Sequence, residues 1–203
     1  MIGLNNHRTT RAGVPVAGLR SAGLNMVSGA AAGAAGVWAM DQVGWFMLRS
    51  ENTHTLTRDL QARFPADAAE NAGTAAQIRG VQAGTPGRPG TASALRTATQ
   101  VSGVSSTDQQ PGPGATVFHY ALGMLPGALY GAVRRIRPSV RTGSGVLYGV
   151  ALFVVMDETA APLTGIASAP GRYPWQAHAR GLVAHVVLGV TTEILLRATD
   201  RLR

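Results

Sequence analysis

Gly145–Ile166 reads GVLYGVALFVVMDETAAPLTGI. It stays uncharged from Gly145 to Met156, then sets Asp157 and Glu158 side by side and meets a proline at Pro162. A helix on the surface of a soluble protein shows a polar face, and this stretch has none before Asp157. Its length meets the ~20 mostly apolar residues that a bilayer crossing needs. Read as a span, it must then account for two carboxylates inside lipid, where ionisable groups face a bundle interior or a water-filled cavity.

Working outward, three more segments have the same character. LNMVSGAAAGAAGVWAMDQVGWFML (24–48) carries one charge, Asp41, and GATVFHYALGMLPGALYGAV (114–133) carries none. QAHARGLVAHVVLGVTTEILLR (176–197) is interrupted by Arg180 and Glu193. A soluble bundle of Ala-rich helices suits the third and fourth segments. The first two are apolar all round, which belongs inside a large protein or inside lipid. Although arginines precede the first segment, it is long enough to span and is read as a retained helix rather than a signal peptide. The expectation is an all-α integral membrane four-helix bundle with a long extracytoplasmic loop between helices one and two.

Arginine placement orients it. All 18 basic residues are arginine and the formal charge is +8. Arg8, Arg11 and Arg20 precede the first span, RRIRPSVR (134–141) joins the second to the third, and Arg197, Arg201 and Arg203 close the chain. These regions share one side, which the positive-inside rule makes the cytoplasm. The resulting plan is a cytoplasmic segment 1–23, spans at 24–48, 114–133, 143–166 and 176–197, and an outer loop at 49–113. A basic cytoplasmic loop at 134–142, a short outer loop at 167–175 and a cytoplasmic tail at 198–203 complete it. This places the chain in a bacterial inner membrane with both termini on the cytoplasmic side. The arginines form no concentrated stripe with interleaved aromatics, so nucleic acid is not an expected partner. The chain has no cysteine, which excludes disulfides, thiolate metal sites and cysteine nucleophiles. Within the outer loop, HTLTRDLQARFPADAAENAGTAAQIRG suits short surface helices broken at Pro65. The Gly/Pro/Ser/Thr-rich stretch 81–113 has too few large apolar residues to fold alone and reads as a tether.

Helices in lipid associate through small residues. Gly123, Gly127 and Gly131 recur at four-residue spacing, with Gly29, Gly33 and Gly36 on the first span and Gly145 and Gly149 on the third. These faces predict a tight bundle, with homo-oligomers or other membrane proteins as partners beside the lipid bilayer.

Alternating the direction of the spans puts Asp41, His119, the Asp157–Glu158 pair and His185 at one depth in the outer half, with His178 above them. Adjacent helical residues point about 100° apart, so Asp157 is expected to face the centre and Glu158 a neighbouring interface. Such a set suits a divalent metal site, a proton relay or structural pairing across helices, and all three stay open. The Glu-x-x-His repeat of soluble di-iron bundles is absent. Glu193 and Arg197 form an i,i+4 pair. There is no P-loop, dinucleotide fingerprint, nucleophile elbow or His-Glu-x-x-His. No catalytic residue is assigned. The leading reading is a non-enzymatic membrane protein that handles protons or a cation or senses pH. The alternatives are a structural or accessory subunit of a membrane complex and a metal-dependent membrane enzyme.

FHY at His119, YGAV followed by Pro138, APLTGI, Pro174-Trp175 and AHVVLGVTTEILLR resemble the YagU-like family of bacterial inner-membrane proteins. The resemblance covers about residues 114–203. It implies several transmembrane helices and, for some members, a link to acid tolerance. It carries no catalytic residues, and the long linker departs from the compact family pattern.

Overall fold

A computed structural model describes residues 16–63, 113–136 and 144–202 of the chain. Among them the secondary structure is all helical, with no strand. Helix α1 spans Val16–Ser50 and α2 spans Thr53–Arg63. Pro113–Ile136 forms α3, which contains Pro126. Helix α4, Ser144–Leu163, is α-helical to Leu152 and π-helical over Phe153–Ala160, and closes with a short turn, Ala161–Leu163. Helix α5 spans Trp175–Arg201.

The ends differ from a reading by hydropathy. Helix α1 begins eight residues before Leu24, because VAGLRSAG is weakly apolar yet has nothing to stop a helix. Helix α3 continues past Val133 and takes Arg134 into the folded interior. By length and composition α4 and α5 are apolar enough to cross a membrane. Helices α1 and α3 have the length, but Gly, Ala and Ser dilute their hydropathy.

The long helices alternate in direction. Helix α1 packs against α3 and α5, and α4 against α5. The α1–α3 seam is glycine on glycine. A Cβ on Gly33 or Gly127 would collide with backbone of the facing helix, and Gly29, Gly123 and Gly131 lie on the same seam. Gly36 turns to α5, where a Cβ would sit 2.7 Å from Thr192 Oγ1. Gly145 and Gly149 meet α5 around Gly189 and His185. These absent side chains let backbones touch, so packing rests on close contact rather than on large interdigitating residues.

Helix α2 is more than a surface helix. Asn52 caps it, its Oδ1 accepting from the Thr55 amide at 2.8 Å. Leu56 and Leu60 share one face and pack on Trp45 and Leu48 at the end of α1. Ser168, in the α4–α5 connection, donates to the Ala62 carbonyl at 2.6 Å. The rest of the outer loop, including the tether at 81–112, lies outside the described residues, as does most of the basic loop.

The π-helical segment lies before Pro162. Proline has no amide to close a turn, and the Ala161 amide instead reaches Met156 O, five residues back. Thr159 Oγ1 donates to Val154 O with the same spacing, at 2.7 Å. Gly165, at φ +75°, ends the helix in a conformation that favours glycine.

Candidate functional site

A cavity of about 460 Å³ lies in the gap between α3 and α4, backed by α1 and α5. Helices α3 and α4 do not pack along their length; near one end the Tyr130 and Tyr148 rings stack, with centroids 4.3 Å apart. Below the cavity an apolar layer of Val37, Leu152 and Leu188 fills the interior. Phe118 and Leu122 of α3 line the cavity and are both exposed, so the cavity opens beside them.

All six His and carboxylate residues singled out in the sequence line this cavity, but as three separate pairs. His119 Nε2 lies 3.0 and 3.1 Å from the two Asp41 oxygens, joining α3 to α1. His178 Nδ1 lies 2.6 Å from Glu158 Oε1, joining α5 to α4. His185 Nδ1 lies 3.6 Å from Asp157 Oδ2. Among the described residues no three His, Asp or Glu side chains converge to share a metal ion.

Glu158 does not turn away to another interface. More residues fill each turn where hydrogen bonds close on the fifth residue, so adjacent residues diverge less than 100°. Both acids of the pair then reach partners on α5.

Hydrogen-bond chemistry assigns protons to two of the imidazoles. His178 Nε2 lies 3.0 Å from the Pro170 carbonyl, which can only accept, so Nε2 carries hydrogen. The contact with Glu158 then needs a second proton, on His178 Nδ1 or on the carboxyl. His185 Nδ1 donates to Gly181 O at 2.9 Å, which leaves Asp157 with an ion-pair contact to His185 at 3.6 Å. Asp157 is surrounded by α2, α4 and α5, yet its side chain is 46% accessible because the cavity reaches it.

Two charge clusters escaped sequence reasoning. Above the cavity, Arg180 is buried between Glu51 and Asp59. Arg63 Nε also bonds Asp59, at 3.0 Å. Burial opposes the Arg63 charge, but Asp59, Tyr173 and Asp157 together outweigh it and raise that guanidinium above its ordinary range. This cluster ties α2 to the ends of α1 and α5. Below the apolar layer, Arg134 is 2% exposed; its Nη2 reaches Glu193 Oε1 at 3.1 Å and its Nη1 reaches Asp200 at 2.7 Å. Tyr130 donates to Glu193 Oε2 at 2.8 Å, and Arg197 Nε lies 2.6 Å from Oε1. Glu193 is thus the hub of a network across α3 and α5, and its spacing to Arg197 signals only one arm. Arg180 inside an apolar run was the signal for the upper cluster.

The fold and cavity define an all-helical protein with buried ion pairs, close glycine seams and a lateral cavity lined by imidazole–carboxylate pairs. Comparison with protein-family models, curated proteins and solved structures finds no match.

Proposed function

We propose that this chain is an integral protein of a bacterial inner membrane, a bundle of α1, α3, α4 and α5 with cytoplasmic termini, whose imidazole–carboxylate pairs take up and release protons. The observation that carries the reading is the 2.6 Å contact between His178 Nδ1 and Glu158 Oε1 on the wall of a cavity shared with two further pairs. A histidine beside a carboxylate is the usual proton-responsive unit near neutral pH.

The membrane part is supported by an inverted distribution of side chains. Leu24, Val27, Trp38 and Phe46 on α1 and Val117, Leu125 and Leu129 on α3 face outward. Arg134, Arg180, Thr192 and Glu193 are buried. In water such a surface would be a continuous apolar patch; in lipid it is the expected exterior. The YagU-like resemblance of the second half, with acid tolerance suggested for some members, points in the same direction.

Imidazole ¹⁵N NMR on detergent-solubilised protein, across about pH 5 to 8, tests the reading. Asp41→Asn, Glu158→Gln and Asp157→Asn should each change the ring-nitrogen signals of the histidine they face, because each removes the carboxylate that contacts it. Titrations indifferent to all three substitutions, with stability alone reduced, would assign the pairs to holding an accessory subunit together.

A further inference from the structure

The cavity's charges do not cancel evenly. Arg63 and Arg180 are matched by Glu51 and Asp59. Asp41 and Glu158 pair with imidazoles, while Asp157 faces His185 and also feels the Arg63 charge. With one proton shared by His178 and Glu158 and the other imidazoles neutral, the chamber carries net negative charge, and imidazole protonation removes it. The walls are mainly apolar and include Phe118, Phe153 and Met156.

Among the three acids, Asp157 is the one open to a ligand. Asp41 holds His119 with both oxygens, and Glu158 has a short contact to His178. Asp157 has its 3.6 Å approach to His185 and is accessible from the chamber. The charged groups facing it are His185 from α5, Arg63 from α2 and the adjacent Glu158. With no three metal ligands converging among the described residues, a bare divalent ion lacks its coordination shell. An organic cation needs one counter-ion and apolar walls, and aromatic faces add attraction. The cavity's volume, about 460 Å³, lies within the roughly 300–1,000 Å³ usual for small-molecule sites. Its mouth beside Phe118 and Leu122 suits entry of a solute already dissolved in lipid.

We propose that the cavity binds a hydrophobic organic monocation, with Asp157 as its counter-ion and the apolar walls holding its body. This names the ligand class of the site described above, and the pH dependence of binding rests on its proton-exchange reading.

The test is equilibrium binding of tetraphenylphosphonium to full-length protein in detergent, beside tetraphenylborate, an anion of nearly the same shape. Saturable binding of the cation alone is expected. It should weaken about tenfold or more in Asp157→Asn, recover in Asp157→Glu, and weaken as pH falls from about 8 to about 5. Should Asp157→Asn fail to fold, Leu122→Trp fills the mouth without touching a pair and must block binding. Equal binding of both ions, no saturable binding, or full binding by Asp157→Asn or by Leu122→Trp overturns the proposal. Failure of cation binding while the histidines titrate with their carboxylates removes the ligand and leaves proton exchange standing. Cation binding independent of pH, with Asp157 still required, keeps the cation site and removes proton exchange.

Discussion

Glu193→Ala removes the acceptor on which Tyr130, Arg134 and Arg197 converge. Arg134, 2% exposed, is then left with Asp200, whose side chain is 28% accessible. Breaking a buried pair by removing one partner costs about 3–5 kcal/mol. Because Asp200 still holds one arm of the guanidinium, the cost falls at the low end, about 3 kcal/mol. The Tyr130 hydroxyl also loses its acceptor, adding about 1 kcal/mol. Titration with a denaturing detergent, followed by circular dichroism, should therefore give a loss of about 3–4 kcal/mol. Replacing both partners with apolar residues, Glu193→Leu with Arg134→Met, should cost less than Glu193→Ala alone, because no charge is left uncompensated. A loss below about 1 kcal/mol for Glu193→Ala, the scale of an exposed pair, would refute the buried-lock account.

The other predictions address separate parts of the fold. Gly149→Val should lower stability by about 1–3 kcal/mol or more, measured by the same unfolding, because its side chain would enter the backbone of α5 at His185. Asp59→Asn weakens the hold on Arg63 and Arg180 together; proteolysis within 53–63 should become faster while the helical content stays constant. Tyr130→Phe deletes one hydrogen bond to a charged acceptor and should cost about 1.5–3 kcal/mol, with the Tyr148 ring stack retained.

The sequence by itself determined helical class, the apolar runs, the small-residue faces and which ionisable residues lie inside them. These are local or periodic properties: run length, glycine spacing and the alternating direction of successive segments suffice to bring Asp41, His119, Asp157 and His185 to similar depth. Sequence reasoning did not resolve who pairs with whom. Partner choice depends on rotation about each helix axis, and the π-helical turns before Pro162 change that rotation by a fraction of a turn, enough to bring Glu158 as well as Asp157 to α5. Arg134 shows the other limit. In RRIRPSVR it reads as one of four loop arginines, and only the extension of α3 to Ile136 makes it a buried partner of Glu193. The cavity is likewise a tertiary property. It exists because α3 and α4 each pack on another helix and meet each other through stacked tyrosines near one end, leaving between them a gap that no local pattern encodes.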